Sequence, residues 1–273
     1  MIIFYYINFI RLLFMNPMLN IAIKAIRSAG NFLIQKYANY TKLDISNISK
    51  SSSAIVNINR SIKLIIIQVI QKYYPNHIFI KNKYKLDFTK NNNIKWIINS
   101  LDGINNFIRK FPHFSISISA IINGRSVISL IYDPIRNDLF SAVRGNGAQL
   151  NGFRIRSNSI CKLKNIVLAL SLKSRLNNDI ILYKKILNKL INNHVDFRYT
   201  GSPSLDLAYL AAGKIDGYLQ VGFNYFDFIS NELLLIESGN ILSDFIGRSD
   251  CLLFDNVICG NPRLLKELLI LVK

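Results

Sequence analysis

Phe114-Ser-Ile-Ser-Ile-Ser-Ala-Ile-Ile122, followed by Asn123-Gly124 and Arg125-Ser-Val-Ile-Ser-Leu-Ile-Tyr132, is the stretch on which the fold turns. Apolar residues at 114, 116, 118, 120 and 122 alternate with Ser115, Ser117 and Ser119, a period of two that belongs to a strand. Asn-Gly is the strongest short hairpin signal, so Ser126–Tyr132 pairs back on the first strand. Asp133-Pro134 makes the next turn and Asp138–Val143 a third strand, which completes an antiparallel meander. Upstream, Ile78–Ile80 and Trp96–Ile98 read as buried strands, and downstream Tyr218–Val221, Ile241–Asp244 and Val257–Cys259 do the same.

Helical periodicity surrounds this sheet. Leu19, Ile23, Ile26, Gly30, Leu33 and Tyr37 recur at steps of three and four, behind a Pro17 suited to a first helical turn. A second helix is expected over Ile58–Tyr73, stopped by Pro75, and others over Asp179–Asn192, Ser204–Ala212 and Phe228–Ser238, with a last one from Pro262. Helices alternating with strands imply packed α/β layers. No repeat and no long linker is present, so residues 15–273 read as one domain with two lobes, about 15–150 and 151–273.

The chain has 273 residues, is half hydrophobic and only 18% charged, with 34 Lys+Arg against 16 Asp+Glu and a net charge of +18. That composition excludes a disordered chain. Cys161, Cys251 and Cys259 are too few and too irregular for a disulfide scaffold. Ile, Asn and Lys are heavy, so part of the charge reflects composition rather than partners. The apolar opening MIIFYYINFIRLLF is interrupted by Arg11, short of the roughly 20 residues a membrane span needs. It also lacks the order of a secretory signal. The expectation is an apolar extension over 1–14, a true start at Met15 or Met18, no membrane anchor, and a cytoplasmic protein with reduced cysteines.

Trp96-Ile-Ile-Asn-Ser-Leu-Asp-Gly-Ile-Asn-Asn-Phe107 resembles the W-x-I-D-P-L-D-G-T-x-N-F signature of the inositol monophosphatase family. Pro112-His-Phe114, Tyr132-Asp-Pro134, Arg144–Gly152, Gly201–Ala208, Ala211–Gly217 and Phe226-Asp227 continue the likeness in order, from Met15 to the end. It is nearest to the family's bacterial Nus-factor branch, notably in Asn16–Ile21 and Val195–Arg198. The resemblance implies an αβαβα layered sandwich, a homodimer, and Mg²⁺-dependent hydrolysis of phosphate monoesters, in which metal ions activate water and neutralise phosphoryl charge. Mg²⁺ needs a tight octahedron of oxygen ligands.

On the residues of this chain, the resemblance also implies that most of that set is gone. The family's G-E-E positions fall on Lys81, Asn82 and Lys83. The metal-bridging Asp is Asn99, and the Thr that orients water is Ile104. The upstream acidic segment falls on Ser53, Val56 and Asn59, and the Glu that meets substrate hydroxyls is Gln220. Remaining as vestigial metal ligands are the Leu101 carbonyl, Asp102 and Asp227, with Gly103, Ile104 and Arg198 at the substrate positions. Lys83 places a positive charge beside the cation position, where like charges 4 Å apart cost about 4 kcal/mol at an effective dielectric of 20. Asp87 is a poor substitute, because an octahedral site tolerates little misplacement.

The surviving residues keep two readings each. Asp227 is a residual ligand or a helix cap; Asp102 is a ligand or the anchor of a Asp-Gly turn. Arg198 lies at the site rim and dimer contact, or forms a salt bridge. His113 reads as a packed loop histidine, and His77 and His194 belong to no constellation. The first functional expectation is a non-catalytic Nus factor that binds RNA polymerase and Nus proteins on nascent ribosomal RNA. It would serve antitermination and ribosome biogenesis, with Arg136, Arg144, Arg154, Arg156, Lys184 and Lys185 as candidate contacts. The alternative is an inositol-1-monophosphatase with a weak Mg²⁺ site; a third is decay toward a pseudogene.

Overall fold

A computed structural model describes residues 2–39, 48–80, 93–173, 176–250 and 254–272; the side chains of 2–16, 48–52 and Asp227 lie outside the description. The described elements begin with α1 (Ile2–Asn39), α2 (Ile48–Tyr73), β1 (Ile78–Phe79), β2 (Lys95–Asp102), α3 (Ile104–Ile108), β3 (Ser115–Ile122) and β4 (Arg125–Asp133). Next come β5 (Asp138–Val143), β6 (Gly147–Leu150), β7 (Phe153–Ile155), β8 (Val167–Leu172), α4 (Asn177–Asn192) and β9 (Asp196–Arg198). The chain ends with α5 (Pro203–Ala211), β10 (Gly217–Val221), α6 (Tyr225–Glu237), β11 (Ile241–Ser243), β12 (Asn256–Gly260) and α7 (Pro262–Val272).

The meander is present and larger than expected: β1 to β7 form a seven-stranded sheet in chain order, antiparallel apart from the β1–β2 pair. A second sheet of five strands runs β11-β12-β10-β8-β9. Helices α1 and α2 cover one face of the first sheet, α5 and α6 lie between the sheets, and α4 and α7 cover the outer face of the second. That is the αβαβα sandwich.

The serine face of β3 is not a solvent face. Ser115, Ser117 and Ser119 are as buried as Ile116 and Ile118, because α5 and α6 cover it. Buried hydroxyls then need partners: Ser119 Oγ lies 2.6 Å from Ser126 Oγ and donates to the Ile128 carbonyl, and Ser129 donates to the Ser230 carbonyl. Helices α1 and α2 start at least ten residues earlier than their periodicity suggests. Pro17 lies inside α1 rather than in its first turn, where it removes one backbone donor. Helix α2 begins ten residues before Ile58, because Ile55 and Ile58 reach the core and their burial outweighs weak serine propensity.

Over Ser53–Tyr73, α2 is long and apolar enough to cross a membrane. Its Ile58, Ile62, Ile66 and Ile70 are buried against α1 and the first sheet, while Arg60, Lys63 and Lys72 are exposed, as in a core helix. Cys161 is an exposed free thiol, and Cys259 is buried. Cys251 lies outside the described residues.

Candidate functional site

Strand β2 carries the signature segment. It runs beyond Ile98 to Asp102, with a register shift between Asn99 and Asp102 against β3. Such an irregularity re-aims side chains at a strand end. Gly103 then takes φ +82, and a Cβ there would lie 2.8 Å from the His113 carbonyl oxygen. Only glycine fits this turn without strain. Beyond it, the short α3 places Ile104, 39% exposed, at the mouth of the site.

The segment opens into a cleft of about 300 Å³ between the two sheets. Leu101, Asp102, Gly103 and Ile104 line one side, and Ser171, Lys173, Tyr199, Gly201, Pro203 and Asp206 the other. Asp102, Lys173 and Gln220 also meet in a smaller adjoining pocket with Ser204 and Asn224. The structure therefore brings four of the expected positions together at the cleft and a fifth, Gln220, beside it. Arg198 is not in the cleft lining. It is exposed on β9, its guanidinium donates to the Phe197 carbonyl at 3.0 Å, and among the described residues it forms no ion pair.

What Asp102 does is visible in its partners. Its Oδ2 accepts from Ser202 Oγ and from the Ser204 backbone N–H, both at 2.8 Å. Those donors sit at the N-terminus of α5, where Ser202 is the N-cap but makes no cap bond of its own. Asp102 thus supplies, from across the cleft, the oxygen that a capping side chain normally supplies, and its charge faces the positive end of the helix. Asn231 on α6 donates to the Ser204 carbonyl at 2.8 Å and ties the next helix to the same turn. The Gly201–Ala208 motif does not by itself reveal this partnership. The legible signal was serine at the N-cap and N2 around the first-turn Pro203.

The neighbouring family positions are satisfied by neutral chemistry. Asn59 Oδ1 accepts from Ser100 Oγ at 2.8 Å, linking α2 to β2. Gln220 is buried; it accepts from the Tyr218 hydroxyl at 2.5 Å and donates to the Gly222 carbonyl at 2.8 Å. Full burial pushes the Tyr218 phenol well above its ordinary pKa, which keeps it a donor. Asp206 is buried beneath the cleft, and both its oxygens accept from Thr200 Oγ1 at 2.8 Å. Burial raises its pKa, opposed by His113 and Thr200 and reinforced by the Asp102 charge.

His113 is a packed loop histidine, as expected. Its Nε2 is 3.8 Å from Asp206 Oδ1, its ring lies against Phe111 and Tyr209, and its carbonyl accepts from Asn106. His77 is structural too, since its Nδ1 accepts from Trp96 Nε1 at 2.9 Å. His194 sits in the left-handed region directly after α4.

Asp227 is not a helix cap. The cap of α6 is Asn224, whose side chain accepts from the Phe226 N–H, and Asp227 is the third helical residue. Its side chain lies outside the described residues, as do Lys81, Asn82, Lys83 and Asp87 entirely. Among the described residues no group of three His, Cys, Asp or Glu is placed to hold a metal. The described donors do not fit Mg²⁺. Asn99 and Asn59 carry no charge, and the one described carboxylate at the family's metal positions has an oxygen committed to two donors on α5.

The comparisons with known proteins agree with this architecture. The sequence pattern of the inositol monophosphatase family matches residues 15–272. The Nus factor SuhB of Escherichia coli K12 is 41% identical over 256 residues, covering 93% of this chain and 95% of that protein. The Nus factor SuhB of Buchnera aphidicola subsp. Schizaphis graminum is 45% identical over 237 residues, covering 86% and 87%. The crystal structure of the extragenic suppressor protein suhB from Bartonella henselae superposes with a TM-score of 0.80 at 26% identity, over 94% of this chain and 98% of that one. Motif order, layer order and relatives converge, and the chain belongs to the inositol monophosphatase family.

Proposed function

We propose that this chain is a SuhB-like Nus factor that works by binding rather than by hydrolysis. It joins RNA polymerase and Nus proteins on nascent ribosomal RNA in the cytoplasm, as a homodimer, and supports antitermination and ribosome biogenesis. The observation that carries the reading is the fate of Asp102. A position that the resemblance assigns to metal has its Oδ2 bound to two donors at the N-terminus of α5, beside two packed cores. The relatives named Nus factor SuhB, near 40% identity over most of the chain, support the same role. The test is co-purification of the whole protein with RNA polymerase and its Nus partners at low salt. Retention on the polymerase is the expected result, and no association would overturn the reading.

A weak Mg²⁺-dependent inositol-1-monophosphatase is the competing reading, favoured by the cleft that persists beside Leu101, Asp102 and Gly103. Phosphate release from inositol phosphate, abolished by Asp102→Asn, would establish it. That substitution removes the charge and keeps an oxygen for the α5 cap.

A further inference from the structure

Between Asp138 and Asp179 the chain holds no acidic residue and seven basic ones, and much of this stretch lies on the surface. Its exposed part starts at β7, the free edge of the seven-stranded sheet. Phe153 on that edge is 79% exposed, more than any other large hydrophobic side chain described. Arg154 is exposed beside it, and Arg156, Lys162 and Lys164 follow on the segment that crosses to β8.

That crossing segment is held in place. Ser157 N–H donates to the Ser238 carbonyl at 2.8 Å, Asn158 is bound to Asp216, and Asn261 donates to the Ile160 carbonyl at 2.6 Å. The nearby acidic groups are bound by other donors: Asp216 is buried and accepts from Asn158 and the Val167 N–H, and the half-buried Glu237 accepts from the Gly145 and Gly147 N–H groups. None of Arg154, Arg156, Lys162 or Lys164 forms an ion pair with a described residue. Other basic side chains are less available, since Arg136 pairs with the buried Asp133 and Arg144 donates to the Ser126 carbonyl.

We propose that the β7 edge and the segment after it, from Phe153 to Lys164, form a binding surface for single-stranded RNA. An exposed aromatic ring stacks on any base face, and fixed cations without competing acids hold the phosphate chain. An acidic protein strand is the weaker fit, because β7 has only three residues and offers few backbone groups for strand addition. The surface stands on its own geometry; the choice of RNA over DNA rests on the Nus-factor reading.

The test is a fluorescence anisotropy titration of the whole protein with a labelled single-stranded RNA of about 12 nucleotides, repeated at several salt concentrations. Four phosphate contacts predict saturable binding whose log–log salt slope is about −3. Phe153→Ala should weaken binding about tenfold. Arg154→Ala with Arg156→Ala should weaken it and flatten the slope by about one unit. Lys63→Ala with Lys72→Ala, exposed on α2 and outside the proposed surface, should change nothing. All these side chains are exposed, and an unchanged melting temperature checks folding.

Failure of the wild-type protein to bind RNA would overturn the proposal, as would equal losses from the α2 pair. A polyglutamate peptide bound through Phe153 and Arg154 in place of RNA would assign the surface to protein. Single-stranded DNA bound equally well would overturn the choice of RNA. RNA binding kept without polymerase association sinks only the Nus-factor reading; the reverse sinks only this surface.

Discussion

Asp102 is the residue where the two histories of this fold meet. Its carboxylate has two donors on α5, so removing it strands the helix N-terminus as well as a charge. Asp102→Ala should cost about 2 kcal/mol, and Asp102→Asn less than about 1 kcal/mol, because an amide oxygen still accepts. Urea denaturation of the two variants checks the order; equal losses would mean that the capping bond carries no weight.

His77 makes a pH prediction. Burial lowers its pKa from the ordinary 6.5, and the native fold needs the neutral ring to accept from Trp96. Below about pH 6.5 the unfolded chain takes up a proton that the native ring refuses, so stability falls as pH falls toward the folded pKa. His77→Gln should flatten the melting temperature between about pH 7 and 5 relative to the wild type. Parallel curves would contradict it. At this scale the sequence was informative about identity and silent about partnership: Asp102 and Asn59 were named, but the Ser202, Ser204 and Ser100 that complete them lie far away in the chain.

Elements are fixed by what they bury, and two glycines mark close approaches between them. Gly30 brings α1 against β4, and a Cβ there would collide with the Tyr132 ring. Gly30→Leu should wedge the helix off the sheet and cost about 3 kcal/mol, read as a lower melting temperature. Gly103→Ala combines φ +82 with the His113 carbonyl in contact and should cost about 1–3 kcal/mol. A melting temperature unchanged by either would contradict the close approach it probes.

The meander was legible because Phe114–Ile122 alternates and Asn123-Gly124 turns it. The run Val167–Leu172 was not, since a short apolar stretch has no period that separates a strand from a buried helix segment. The start of α6 was placed three residues late, because Asn224 caps it through a side chain whose role depends on local geometry. Helix α2 extends ten residues upstream of the expected Ile58, and Ile55 joins the core from that added stretch.

At the scale of the molecule, the family's layers are all present. Among the described residues four packed clusters of buried side chains hold them, whereas most acidic positions that the resemblance implies carry Asn, Lys, Ser, Val or Gln, with Asp102 and Asp227 remaining. Net charge of +18 over such a frame suits a protein that meets polyanions or acidic partners. Because Asp102 Oδ2 is held by two donors at the start of α5, a Mg²⁺ ion would compete with that cap for the carboxylate. Isothermal titration of Mg²⁺ into the whole protein, with melting temperature followed in parallel, tests this directly. An ordinary millimolar site would raise stability by about 1.4 kcal/mol at ten times its Kd, a shift of about 2–4 °C. No saturable heat and no such shift are predicted; saturation in the millimolar range, with phosphate released from inositol phosphate, would contradict the account.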